Sequence, residues 1–310
     1  MLDPQFGKTK PGKITMRNEI FKHGLLAVFV FYGVHAVPAS AAVVSVGPQY
    51  DSTHVYVAPA DLNAFVTSFA VTFGGTPSKP ATTNIMPVPS STTFQYVMTP
   101  VGTLSVFAFL TPVPFPFGAE RTGYLVTDMD KAIATARAPG AEVVVAPFKD
   151  PIGRDAVVRW PGGVETQLYW HFTPPSYPPL TSVPDNRVYV SADRADEFAR
   201  DFLRFSNGKV TRDDRHADAG EIGRPGEFYR NIQIQSGFGK MWVAVTDGHL
   251  PYPFGRELMG YEVSDLSLTL AKAKAAGATV LSPPYDAHDR RSAVVEFPGG
   301  YIAEIHAPVR

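Results

Sequence analysis

The chain repeats itself, and any fold it adopts must divide into two like halves. THVYVAPADLNAFVTSF (53–69) parallels NRVYVSADRADEFARDF (186–202), an offset of 133 residues from His54 to Arg187. PFGAERTGYLVTDMDKAIATARAPGAEVVVAPF (116–148) parallels PFGRELMGYEVSDLSLTLAKAKAAGATVLSPPY (253–285), and GRDAVVRWPGGVETQLYW (153–170) parallels RRSAVVEFPGGYIAEIHA (290–307). The last two blocks share an offset of 137 from Gln167 to Glu304, so the second copy gains four residues in mid-copy. Three blocks in the same order define a duplicated supersecondary unit. The copies span 46–172 and 185–310, joined by the Pro-rich linker TPPSYPPLTSVP at 173–184.

Each copy divides again. In THVYVA, Val55 and Val57 alternate with His54 and Tyr56, the pattern of a half-buried strand. Asp61 precedes a helix that places Leu62, Phe65 and Phe69 on one face and stops near Gly74-Gly75. Strands follow around TTFQYVM and LSVFAFLT. The pattern then restarts: GYLVT as a strand, Asp128 as a helix cap, Gly140 as its stop, and EVVVAPF, AVVRW and VETQLYW as strands. The expectation is an α+β fold, with a strand–helix–three-strand module occurring four times.

The entries GYLVTDMDKA and GYEVSDLSLT, with the closing turn-strands WPGGVETQL and FPGGYIAEI, resemble the glyoxalase/bleomycin-resistance/extradiol-dioxygenase (vicinal-oxygen-chelate) superfamily over about residues 46–310. The resemblance implies two tandem domains, each of two βαβββ modules curling one sheet around a cup that holds a divalent metal. Strand alternation gives the cup its own support. Val164, Thr166 and Leu168 share one face of VETQLYW, and Glu165, Gln167 and Tyr169 the other. In YIAEIHA, Tyr301, Ala303 and Ile305 oppose Ile302, Glu304 and His306. The first face suits helix packing, the second a polar cup.

Carried over residue by residue, the family's ligand positions fall unevenly. The opening-strand ligand becomes His54 and Arg187, the second-module ligand Arg121 and Leu258, and the closing carboxylate Gln167 and Glu304. The fourth position falls near Phe109 and Ala244. A catalytic divalent site wants about three N/O ligands plus open positions, and a guanidinium repels a cation. Two module pairings are open at this stage. Paired within a copy, the cups are metal-free: Arg187 faces Glu304, and His54 hydrogen-bonds Gln167. Paired across copies, His54 and Glu304 share a cup beside His306, as ligands for Zn, Ni, Mn or Fe and as the catalytic base and its partner.

Two functions follow. One is a binding protein, with Phe107, Phe109, Trp242, Tyr56 and Tyr189 offering stacking surfaces for a small molecule and Arg121, Gln167, Tyr169, Arg187, Glu262 and His306 offering polar contacts. The other is a metal-dependent lyase or oxygenase using His54 and Glu304. Glu262, which replaces Leu125, is expected to face the ligand or to pair with Arg187. Arg154 and Arg291 are expected to bond adjacent loops. His171, His216, His249 and His288 are read as loop residues in solvent.

Composition removes other classes. Twenty-eight Lys and Arg against 29 Asp and Glu leave no basic run, so the counterion-release source of nucleic-acid affinity is missing. Zero cysteines exclude disulfides, thiolate ligands and a Cys nucleophile. From Met16, MRNEIFKH, the apolar GLLAVFVFYGVHAV and the small-residue site Ala39-Ser40-Ala41 read as a secretory signal within residues 1–42. The apolar run is short for a membrane span. The expectation is an exported monomer or homodimer with no stable membrane span after cleavage.

Overall fold

The structure, a computed structural model, describes residues 43–84, 88–118, 122–256, 258–287 and 289–309. The signal reading at 1–42, and the readings of Arg121 and His288, fall outside these residues.

In the first copy the elements are β1 (Asp51–Tyr56), α1 (Leu62–Phe73), β2 (Thr76–Pro77), β3 (Ala81–Asn84), β4 (Ser91–Thr99) and β5 (Gly102–Phe109), then β6 (Thr122–Leu125), α2 (Met129–Arg137), β7 (Glu142–Lys149), β8 (Gly153–Arg159) and β9 (Glu165–His171). The second copy has β10 (Asp185–Ser191), α3 (Ala195–Ser206), β11 (Lys209–Asp218), β12 (Phe228–Ser236) and β13 (Gly239–Thr246), then β14 (Leu258–Glu262), α4 (Leu266–Ala275), β15 (Thr279–Ala287), β16 (Arg290–Phe297) and β17 (Tyr301–Pro308). The expected α+β module recurs four times.

Caps explain the helix bounds. Asp128 Oδ1 accepts from Lys131 N at 2.9 Å and Asp265 Oδ1 from Leu268 N at 2.9 Å, each satisfying an otherwise orphaned first-turn N–H. Gly74, in the left-handed region at φ 76°, closes α1.

The strands form two sheets with matching order, β2-β4-β5-β1-β6-β9-β8-β7 and β11-β12-β13-β10-β14-β17-β16-β15, with β3 added against β4. At the centre of each sheet the modules join through an antiparallel pair, β1 with β6 and β10 with β14. Module pairing is therefore within each copy. His54 and Glu304 stand in different sheets, which corrects the shared-cup reading of those two residues.

Burial crosses between copies even though strand pairing does not. One apolar cluster joins the second module to the third, from Tyr124, Met129, Ile133 and Trp160 to Phe198, Phe202 and Val243. Another joins the first module to the fourth, from Val55, Phe65 and Phe69 to Tyr261, Phe297 and Ile305. The helix-bearing faces thus meet in a shared core, and alternation turns the other face of each sheet away from it. The repeated PGG turns serve this packing. Gly162 and Gly299, at φ 90° and 87°, sit over Val190 and Val57 of the other copy, where an added Cβ would lie 2.7 and 2.8 Å from a valine methyl.

Candidate functional site

The two cups share a frame but not a content. Gln167 is in register with Gly123, and Glu304 with Gly260, across the parallel pairs β6–β9 and β14–β17. Both glycines lie under the cup. A Cβ on Gly123 would come 2.8 Å from His54 Nε2 and 3.3 Å from Gln167 Oε1, and one on Gly260 would come 2.7 Å from Glu304 Oε2. The missing side chain is what lets the flanking polar groups converge.

Cup two is closed by its own side chains. Arg187 Nη1 lies 2.9 Å from Glu304 Oε2, with both residues almost wholly buried, and the guanidinium lies 3.8 Å above the Trp242 ring. Burial alone would raise the Glu304 carboxyl; Arg187 first, then Arg290 and His306, hold it well below the usual range. His306 Nδ1 is 3.3 Å from the same carboxylate. The 3₁₀ turn Ala219–Ile222, within the longer mid-copy segment, packs Ala219 and Ile222 against Tyr229 and Trp242. It also buries Glu221, which accepts a short hydrogen bond from Tyr229 Oη. Leu258, Val294 and Ile302 fill the other side. A rim recess of about 290 Å³ remains, and most of its charges pair with one another, Asp289 having no ion pair among the described residues. Arg290 meets Asp185 at 2.9 Å and Lys240 meets Glu262 at 3.4 Å. Glu262 thus pairs with Lys240 and approaches His306 (3.9 Å), not Arg187 as one sequence reading had it.

Cup one is open. It holds a cavity of about 250 Å³ with His54 and Gln167 on its floor and Phe94, Tyr96, Phe107 and Phe117 along its wall. Phe107 stacks on Tyr56 at 5.3 Å and meets the edge of His54 at 5.6 Å. Phe94 contacts Tyr96 at 4.5 Å and Phe107 at 5.2 Å. Phe109 extends the stack beyond Tyr56. Gln167 is 8 % exposed, and its side-chain amide makes no hydrogen bond to any described residue, so the expected His54–Gln167 bond is not formed. Tyr169 donates from Oη to the Tyr50 carbonyl at 2.5 Å; burial, then nearby Tyr177, Tyr96 and acidic groups, push its hydroxyl well above the usual range.

Several cup-one residues escaped the sequence reading. Tyr177, from the linker, closes the cavity beside Tyr96 and 5.5 Å from Tyr50. His171 ends β9 and lines the cavity rather than lying in a solvated loop; burial pushes its imidazole below its ordinary value, with Asp150 opposing. Asp150 and Asp155 line the same space. His216 also proves to be a strand residue, on β11, while His249 is in a loop as expected. Arg154 grips Asp130 of α2 through two 3.0 Å hydrogen bonds, not a loop, and Arg291 reaches Asp286 of β15 at 3.6 Å. Tyr189 packs with the Trp242 cluster of cup two.

Neither donor set fits a divalent cation. Among the described residues no three His, Asp, Glu or Cys side chains converge as a metal would need. In cup one the ligand position opposite His54 carries the neutral amide Gln167, and in cup two Glu304 is already committed to a buried guanidinium. Among the described residues no helix is long and apolar enough to cross a membrane.

No protein-family model matches this chain, and no curated protein sequence matches it. Solved structures do. A variant of 4-hydroxymandelate synthase from Streptomyces coelicolor aligns over 85% of this chain and 94% of its own, with 14% identity and a TM-score of 0.58. The Mn(II)-bound glyoxalase from Novosphingobium aromaticivorans aligns over 87% and 84%, with 14% identity and a TM-score of 0.54. The 2,3-dioxygenase LapB from Pseudomonas sp. KL28 aligns over 86% and 94%, with 10% identity and a TM-score of 0.51. At these identities the likeness is one of fold. Four βαβββ modules, paired in two sheets around two cups, give this chain the fold of the glyoxalase/extradiol-dioxygenase (vicinal-oxygen-chelate) superfamily.

Proposed function

We propose that this is an exported small-molecule-binding protein whose ligand site is the cup of the first copy, the second copy being a closed structural counterpart. The observation that carries the reading is the asymmetry of the cups. One keeps an aromatic-walled cavity of about 250 Å³ with an unpartnered buried amide at its floor. The other has its floor filled by Arg187, Trp242, Glu304 and the Ala219–Ile222 turn and keeps a recess of about 290 Å³ lined mainly by charged and polar side chains in place of an aromatic wall. A concave, largely apolar pocket with a few convergent polar groups is the usual form of a small-molecule site. An apolar cavity of about 150 Å³ accepts benzene, so this one suits a bicyclic ring system. Chemistry requiring a cation held by His54 and Glu304 has no support in the geometry, because the two residues belong to different sheets.

A neutral bicyclic probe tests the site. Saturating 2-naphthalenemethanol should raise the thermal midpoint, as about 2.7 kcal/mol of stabilisation accompanies ligand at a hundred times Kd. Phe107→Ala should remove the shift, and Glu262→Gln on the rim of cup two should not. A shift lost with Glu262→Gln and kept with Phe107→Ala would place the ligand in the wrong cup. Export rests on the Met16–Ala41 segment. Protein from its native host should begin near Ala42 by mass spectrometry, and an intact Met16 start in the cytosol would refute export.

A further inference from the structure

We infer that the ligand of cup one is an organic cation: a flat, mostly apolar ring system carrying a protonated amine that seats against Asp155 and Asp150. This rests on cup one being the binding site. The two carboxylates line the cavity together with the aromatic wall. Neither has an ion-pair partner among the described residues, and Asp150 spends only Oδ1, accepting from Ile152 N at 3.0 Å. Other enclosed acids are matched. Arg187 meets Glu304, Arg290 meets Asp185 and Arg159 meets Glu165, while side-chain donors serve Asp51 and Glu221. Two partly buried acids face one empty space, with no ion-pair partner among the described residues, and an arriving positive charge would meet both of them there.

The acids are also specific to the open cup. At the 137-residue offset, Asp155 corresponds to Ser292 and Asp150 to Ala287 in the closed copy. They are therefore not part of what the fold itself requires. Burial first, and then the charge of Asp150, push the Asp155 carboxyl well above its ordinary range, as expected of an acid that gains from an arriving cation. The rest of the wall agrees. Phe94, Tyr96, Phe107, Phe117 and Tyr177 present ring surfaces, which attract a cation through their quadrupole and stack on a planar body. The buried Gln167 amide at the floor offers both a donor and an acceptor to a polar substituent at the far end. An anionic ligand would meet two carboxylates and no described cation.

Three matched probes decide it on the full chain by isothermal titration at pH 7.5: 2-naphthylmethylamine, 2-naphthalenemethanol and 2-naphthoate. The amine should bind at least tenfold more tightly than the alcohol, and the carboxylate most weakly. Lowering the pH should erode the amine's advantage as Asp155 and His171, which line the same cavity, take up protons. Asp155→Asn should bring the amine-to-alcohol ratio close to one. Should that variant fail to fold, Asp150→Asn should cut the ratio by several fold in its place. Equal binding of amine and alcohol, a preference for the carboxylate, or an amine preference that survives both substitutions would overturn the cationic ligand and leave cup-one binding standing. No binding of any probe to the wild-type chain would overturn both.

Discussion

Replacing Glu304 by glutamine should destabilise the protein by about 3–5 kcal/mol, the cost of leaving a buried charge without its partner. At roughly 2–4 °C per kcal/mol for a domain of this size, the thermal midpoint should fall by about 6–20 °C. Glu304 is fully buried and Arg187 is 1% exposed, so no solvent can take over the lost role. The guanidinium is also pinned over Trp242 and cannot swing outward without breaking that contact. The amide would still accept one hydrogen bond but would offer Arg187 no counter-charge. The pair itself is a weak source of net stability, because desolvating two ions offsets most of their attraction. Arg187→Met combined with Glu304→Leu should therefore recover most of the loss. Urea unfolding of the three proteins provides the comparison. A Glu304→Gln variant within about 1 kcal/mol of wild type would show that the pair is not sealed from solvent. The same variant should keep its response to 2-naphthalenemethanol, since cup one lies in the other sheet.

What the sequence showed, and what it hid, follows from the range of the signal. Duplication and strand parity are written along the chain itself, so the four modules and the cup faces of β9 and β17 were legible, whereas the placing of Arg187 with Glu304 in one cup needed the strand pairing of β10 with β14. Parity alone also places Asp155 on the cup face, opposite the buried Ala156 and Val158. The apolar run AVVRW masks that signal, because its strength lies on the core face. The partner of Glu262 was hidden for a different reason. Lys240 lies on β13, and only the register of β10 against β13 and β14 brings it near. Tyr177 left no periodic trace, because a Pro-rich linker has no repeating face; its place depends on the chain crossing the mouth of cup one, where Thr181 N meets the Pro100 carbonyl at 2.7 Å. The four extra residues of the second copy were countable in sequence. That they help build a turn closing the second cup was not.

The joint between the copies holds a second buried acid, and its pH response should be opposite in sign to that of Glu304. Asp51 is 1% exposed at the start of β1. It accepts a short hydrogen bond from Thr122 Oγ1 and another from Asn186 Nδ2 at 2.9 Å, the latter group also reaching Tyr124 Oη at 2.7 Å. Burial raises its carboxyl to about 7 from 3.8, with those two hydrogen bonds opposing. The folded state therefore holds a proton between those values that the unfolded chain releases. Stability from this group is fully present below about 3.8 and is lost as pH rises through about 7. A tenfold change in proton affinity is worth about 1.36 kcal/mol, so the loss is about 4 kcal/mol at most. Glu304 behaves the other way: its folded value is depressed, so its contribution is present above the unfolded carboxylate range and lost as pH falls through the folded value. Between about pH 5 and 8 Glu304 is ionised in both states and contributes no slope, which leaves a clean window. Asp155, raised, and His171, lowered, also titrate differently on folding, so the difference between two proteins is the quantity to read. Asp51→Asn keeps an acceptor for Asn186 and removes the charge. Its unfolding free energy should match that of wild type within about 1 kcal/mol at about pH 5 and exceed it by roughly 2–4 kcal/mol at about pH 8. Parallel curves for the two proteins across that window would mean that Asp51 is already ionised in the folded protein at its lower end, and that the joint between the copies is wetter than its packing implies.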